Sequence, residues 1–194
     1  MQIIQYAEKI LQTQEEIKHP GAQMLNQGLK EGHIREVAAM YDVHFSEEVV
    51  ALYQWRNGLN SRYPSGSMLK MGDVCFFPGY VFLSIEDAIN AYNRSKLQQD
   101  WNKDWFPLFW NSAGCMFVMD CGEENRGQMI EFGGPYFDSE VVYASLSDML
   151  KTIAKSYEVG GFYFDEEFGL ACDDQIFCAL AKDLNPDVLY WQRQ

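Results

Sequence analysis

Apolar residues recur three or four positions apart in several stretches of the chain, and this spacing predicts amphipathic helices. The first stretch opens the chain and is expected to end at His19-Pro20-Gly21, because proline disfavours helical backbone in the residue before it. The apolar positions of the predicted helices are Ile3, Ala7, Ile10 and Leu11; Ile34, Val37, Ala38 and Tyr41; Val49, Leu52 and Tyr53; Ile85, Ala88, Ile89 and Tyr92; and Leu146, Met149, Leu150, Ile153 and Tyr157.

Three of these helices have a serine at the predicted start. A serine hydroxyl can accept a hydrogen bond from a free backbone N–H of the first turn, and nearby carboxylates favour the positive end of the helix dipole. The predicted starts are Ser46 with Glu47 and Glu48, Ser84 with Asp87, and Ser145 with Asp148. The last two have the spacing of a capping pair.

The helix that begins at Ser46 is predicted to end at Asn57-Gly58. Asn and Gly both tolerate positive φ, so they can close a last helical turn where a β-branched residue would be strained. Trp55 lies just before this point and is assigned to the core. Trp55, Asn57 and Gly58 are therefore interpreted as a landmark of the fold and not as catalytic groups.

Short apolar segments in the middle of the chain predict a sheet. The segments 115–121 and 128–132 are separated by the polar stretch 122–127, which is typical of a β-hairpin. Residues 140–144 predict a further strand, directly before the helix that starts at Ser145.

The chain is predicted to form a single domain over residues 1–194, with a core at about 20–158 and a C-terminal extension at about 159–194. After Gly160-Gly161 the extension is predicted to contain one helix, ended by Asn185-Pro186 and expected to pack back on the domain. Its predicted apolar side consists of Ile176, Phe177, Leu180 and Leu184.

Composition is that of a globular protein. The 194 residues are 47% hydrophobic, enough for a sizeable core without disulfide or metal support. No apolar run approaches the roughly 20 residues of a membrane-spanning helix, and the first 18 residues lack the apolar stretch of a signal peptide, so a cytoplasmic location is expected. Five cysteines lie mostly in apolar segments and are interpreted as reduced thiols.

Charge is distributed unevenly. The net charge is −13; residues 1–97 carry 9 basic and 11 acidic side chains, and residues 98–194 carry 6 and 17, so the two halves have −2 and −11. Such a field repels nucleic-acid phosphates and anionic membranes, and it speeds encounter with a basic protein. Neither a nucleic-acid partner nor a membrane partner is therefore expected.

Catalytic motifs are not found in the sequence. There is no Gly-x-Ser-x-Gly, phosphate-binding glycine loop, dinucleotide fingerprint or His-Glu-x-x-His, and no cofactor is predicted. His19, His33 and His44 are expected at surface or helix-end positions. Cys115 with Cys121, and Cys172 with Cys178, are each six residues apart and lack the close spacing of thiolate metal sites, so no metal site is predicted.

Acidic clusters are the candidates for binding. Carboxylates can form a solvated face, recognise a basic protein, or bind a divalent cation in a hydrolase. The candidate partner-binding residues are Glu123, Glu124, Glu131, Asp138 and Glu140 around the predicted hairpin, with Asp165, Glu166 and Glu167 of the extension in reserve. Aromatic residues crowded between Trp101 and Trp110 could add anchors, although most are expected in the core.

The order of these segments resembles the SUKH superfamily, the Smi/Knr-type domains. The resemblance covers roughly residues 20–155. It consists of a helix and Trp-x-Asn-Gly, the aromatic segment 76–83, the helix opening at Ser84, and then the segments 105–109, 111–120 and 127–132. Together with the patterning it implies an α+β fold: a mixed or largely antiparallel central sheet of about five to six strands, with helices packed around it and a C-terminal helical extension.

The resemblance also implies function by protein binding without catalysis. Bacterial members of the superfamily include immunity proteins, so one hypothesis is an antitoxin that masks a basic toxin domain, such as a nuclease, with an acidic face. The superfamily also includes fungal cell-wall regulators. The alternative to the antitoxin hypothesis is therefore a structural or regulatory interaction protein that has no toxin partner. A carboxylate hydrolase with a divalent cation is a weaker alternative. Oligomeric state is not predicted.

Overall fold

The computed structural model describes residues 2–60, 70–133 and 138–194. Its helices are α1 (Gln2–Glu16), α2 (Glu31–Met40), α3 (Glu47–Trp55), α4 (Ile85–Ser95), α5 (Leu146–Glu158), α6 (Asp174–Leu184) and α7 (Leu189–Gln192). Its strands are β1 (Leu25–Gln27), β2 (Arg56–Leu59), β3 (Val81–Phe82), β4 (Trp105–Trp110), β5 (Met116–Asp120), β6 (Met129–Phe132), β7 (Glu140–Tyr143), β8 (Phe162–Asp165) and β9 (Gly169–Cys172). Two short 3-10 turns lie at Pro20–Met24 and Met71–Asp73.

The central sheet has five antiparallel strands in the order β3-β4-β5-β6-β7. Every residue of the middle strand β5 is buried, because its neighbours cover both of its edges and the rest of the domain covers both faces. In this strand Val118 pairs with Pro107 on one side and Ile130 on the other. The predicted α+β class and the largely antiparallel sheet are confirmed, as are the β5–β6 hairpin and the strand β7.

Serine caps begin three helices, as predicted. The backbone N–H of Val49 donates to Ser46 Oγ at 3.3 Å and that of Asp148 to Ser145 Oγ at 3.0 Å. At α4 the N–H of Asp87 donates to Ser84 Oγ at 3.1 Å, while the Ser84 hydroxyl donates to the Asp87 carboxylate at 2.8 Å. These contacts are local in sequence, which is why the pattern alone identifies them.

The predicted end of α3 is wrong. The helix stops at Trp55, and the next four residues form β2, which pairs with β1. Asn57 and Gly58 therefore lie in a strand and do not close a helical turn. Gly58 does have a positive φ of +60°. It lies where β2 passes close to the segment that leads into α4.

Aromatic side chains fill the core. Phe106 and Phe109 of β4 are buried, while Trp101, Trp105 and Trp110 are partly buried and pack against the core. Most of the aromatic residues between 101 and 110 thus serve packing, as expected. Several neighbouring rings meet edge-on, for example Trp101 against Phe132 with centroids 5.1 Å apart.

The C-terminal segment differs from its prediction. It begins with the hairpin β8–β9, which the sequence analysis missed, and ends with α7. Helix α6 stops before Asn185, as predicted. Ile176, which was expected on its apolar side, is 38% exposed, and Ala181 is the residue of this helix that is fully buried. The segment contacts the sheet through Trp191, whose Nε1–H donates to the Val142 carbonyl at 2.7 Å.

Candidate functional site

Trp55 connects α3 to α1, and Asn57 and Gly58 of β2 lie against the start of α4. Trp55 is 8% exposed and its Nε1–H donates to a Glu8 carboxylate oxygen at 2.6 Å. Buried Asn57 accepts from the N–H of Ile85 at 2.8 Å through Oδ1 and donates to Glu86 at 3.1 Å through Nδ2. The Asn57 side chain therefore satisfies the free N–H of the first α4 residue, whereas Ser84 satisfies that of the third.

Three predicted acidic residues come together at one edge of the central sheet. Glu131, Asp138 and Glu140 border one cavity of about 220 Å³, together with Tyr190 of α7. Glu131 and Glu140 face each other directly across β6 and β7. Like charges in this position destabilise a sheet, by about 0.2–1 kcal/mol. The pairing therefore concentrates negative charge at this edge.

Within the part of the chain that the structure describes, one arginine brings positive charge to this edge. The Arg193 guanidinium contacts the Glu140 carboxylate at 2.7 Å, with both side chains partly exposed. Within the described residues, Glu131 and Asp138 have no ion pair. Two of the three carboxylates are thus uncompensated.

Glu131 is surrounded by tyrosines. The hydroxyl of Tyr80 donates to Glu131 Oε1 at 2.6 Å, a length typical of a hydrogen bond to an ionised acceptor. Burial raises the pKa of Tyr80 far above its ordinary value, and the Glu131 charge raises it further. Burial, and then the same charge, also raise the pKa of Tyr143 and of Tyr190. All three phenols therefore stay protonated at neutral pH.

Glu123 and Glu124 lie apart from this cluster. They occupy the exposed turn of the β5–β6 hairpin, beyond the Met119–Met129 pair. Glu131 pairs with Phe117, two positions further from the turn. Because each strand residue advances about 3.3 Å, the turn and the cluster form separate acidic patches.

The reserve candidates lie at the turn between β8 and β9: Asp165 is the partly buried last residue of β8, and Glu166 and Glu167 form the exposed turn. Asp165 Oδ1 accepts from the N–H groups of Glu167 and Phe168, both at 2.8 Å, so this carboxylate shapes the turn. Lys70 donates to the main-chain carbonyls of Glu166 and Glu167. None of the three acids lines the cavity bordered by Glu131, Asp138 and Glu140.

Histidines and cysteines lie outside the acidic cluster. His33 and His44 are exposed as expected; His19 lies at a helix end but is buried, where Nε2 contacts the Gly72 carbonyl at 2.9 Å and burial lowers its pKa. All five cysteines are free thiols, as interpreted from the sequence. No three His, Cys, Asp or Glu side chains of residues 2–60, 70–133 and 138–194 are arranged to hold a metal ion.

Sequence reasoning missed the aromatic and basic partners of the acidic cluster. Tyr80, Tyr143, and Tyr190 with Arg193 come from three separate segments of the chain. The only signal in the sequence was a further apolar group, Leu189-Tyr190-Trp191, after the proline that ends α6. Such a group indicates another buried contact but not the strand that it meets.

The fold and the cluster define an α+β domain with an acidic, aromatic sheet edge. The model of the SMI1 / KNR4 family (SUKH-1) matches residues 28–152, which is more than half of the chain. The chain belongs to this family, and the resemblance seen in the sequence is confirmed. No curated protein matches the chain. Across the described residues, no helix is long and apolar enough to cross a membrane.

Proposed function

We propose that this protein is a non-catalytic, cytoplasmic binding module of the immunity type, which neutralises a cognate toxin by covering a basic surface of it. The observation that carries the proposal is the convergence of Glu131, Asp138 and Glu140 beside Tyr190, with Arg193 as their one basic partner in the described part of the chain. Family membership supports a protein partner, since the family includes immunity proteins.

Electrostatics explain how such a module would act. Nuclease clefts are basic because they hold phosphates, so an acidic face can occupy them in place of the substrate. Long-range attraction speeds the encounter, and aromatic anchors such as Tyr190 then hold the complex. No reaction on the toxin is required.

Capture of partners from the source lysate tests this proposal. The protein serves as bait, the complex is washed at low and then moderate salt, and retained proteins are identified by mass spectrometry. We expect one basic protein at near-equal stoichiometry, loosened by salt, whose toxic activity falls in proportion to added bait. A captured protein that is acidic, or one whose activity is unaffected at equal stoichiometry, would contradict the immunity proposal.

Family membership also supports the regulatory alternative, because the family includes cell-wall regulators. It predicts a different result in the same capture experiment. Proteins of wall synthesis or its control would be retained, and the complex would not weaken steeply with salt, because no strongly basic target is involved.

A further inference from the structure

A second cavity of about 210 Å³ lies beneath the acidic cluster. Glu131 and Tyr190 line both cavities, so the two adjoin at these residues. The inner cavity has aromatic walls, formed mainly by Phe77, Tyr80, Phe117, Tyr143, Phe177 and Trp191. It therefore combines apolar walls with two carboxylates, Glu131 at its junction with the acidic edge and Asp174 elsewhere in its lining.

Tyr143 gives this inner cavity an unused polar group. The residue is 2% exposed and lines the cavity, but its hydroxyl has no hydrogen-bond partner among the described residues. A ligand that reaches the cavity can hydrogen-bond this oxygen.

The carboxylates at the cavity favour a positively charged ligand. One Glu131 oxygen accepts from Tyr80, and the carboxylate has no basic partner within the described residues. Asp138 and Glu140 stand at the outer opening. An anionic ligand would be repelled by these carboxylates, whereas a cation would neutralise Glu131 in a site where burial strengthens the attraction.

The volume of the inner cavity favours a single cationic side chain over a larger cationic ligand. Pockets for drug-sized ligands and cofactors have about 300–1,000 Å³. The inner cavity, at about 210 Å³, is smaller than this range and reaches it only together with the adjoining outer cavity of about 220 Å³. A single side chain fits better: aromatic walls would cover its methylene groups, and its charged end would reach Glu131.

We propose that this cavity receives one arginine side chain of the partner protein, with its guanidinium on Glu131 and the Tyr143 hydroxyl and its stem against Tyr190 and Trp191. This proposal rests on the proposed function and names the recognition element of that same site. A guanidinium is planar, donates up to five hydrogen bonds and stacks on aromatic rings. It can therefore hydrogen-bond a carboxylate and a hydroxyl oxygen while it stacks on a ring. Lysine has the charge but lacks this planar fork.

The test uses the isolated protein and a small probe. N-acetyl-arginine methylamide is titrated into it, with N-acetyl-citrulline methylamide as a neutral probe of the same shape, and binding is followed by NMR shifts of the Tyr143 and Trp191 rings. We expect saturable shifts for the arginine probe and at least about tenfold weaker binding of the citrulline probe, because the charged interaction with the Glu131 carboxylate is lost.

Three variants assign the binding to the cavity. Glu131→Gln keeps an acceptor for Tyr80 but removes the charge, and is expected to weaken the arginine probe about tenfold. Tyr143→Phe removes only the unused hydroxyl and is expected to weaken it about threefold to tenfold. Glu124→Gln, in the exposed hairpin turn, is the matched control and should change nothing.

Several results would overturn this proposal. They are the absence of ring shifts up to the solubility limit of the arginine probe, equal shifts from citrulline, or unchanged binding in a folded Glu131→Gln variant. The outcome is separate from that of the capture experiment: a captured basic toxin with no probe binding refutes only the arginine cavity, whereas probe binding without such a partner refutes only the immunity function.

Discussion

Gly58→Ala is expected to lower the free energy of unfolding by about 3–4 kcal/mol. Two costs add at this position. The residue has φ of +60°, which L side chains rarely adopt, and an added Cβ would overlap the main-chain carbon of Leu83 and the nitrogen of Ser84. These atoms lead into α4 and cannot rotate aside as a flexible side chain can. Chemical denaturation monitored by circular dichroism measures the loss.

Gly79→Ala is the matched control for this substitution. Gly79 also has positive φ, +82°, but within the described residues no atom lies within 4 Å of an added Cβ. Only the backbone strain remains, so a loss of about 1 kcal/mol is expected. Equal losses for the two alanine variants would show that the close approach of β2 to the start of α4 is not present in solution.

Neutralising Glu131 and Asp138 together is expected to slow association with the basic partner about tenfold at low salt. The effect should shrink as salt rises, because screening removes long-range attraction. Glu140 is left in place so that Arg193 keeps its ion pair. Stopped-flow or surface-based kinetics on the captured partner gives the association rate directly.

The hairpin turn supplies a control with the same change in net charge. Glu123→Gln with Glu124→Gln also removes two negative charges, but from the separate patch at the exposed turn. We expect a change of less than about twofold for this pair. If both pairs slow association equally, overall charge controls the encounter and the sheet edge is not the binding face.

Much of the fold could be predicted because its signals are local. The caps at Ser84 and Ser145 need only residues three positions away, and the β5–β6 hairpin needs only a short polar turn between two apolar segments. Strand β2 was missed because its partner β1 lies about thirty residues earlier in the chain. The short apolar runs of β8 and β9 gave no comparable signal until their pairing was known.

The acidic residues of the candidate site could be predicted from the sequence, but their arrangement in space could not. Charge density pointed to the acids around the hairpin, but the β6–β7 register decides that Glu131 meets Glu140 while Glu123 and Glu124 lie elsewhere. Helix α7 brings Tyr190 to the same edge from the end of the chain. Such proximity depends on tertiary packing, which spacing along one sequence does not encode.

Hydrogen exchange of the protein alone and in complex with the captured basic partner tests the central claim most directly. The claim is that the protein binds its partner through the sheet edge formed by β6, β7 and α7. We expect slower amide exchange in residues 129–132, 140–143 and 189–193 on binding, with little change in the hairpin turn at 122–127. Protection confined to other surfaces, with these three segments unchanged, would contradict the claim.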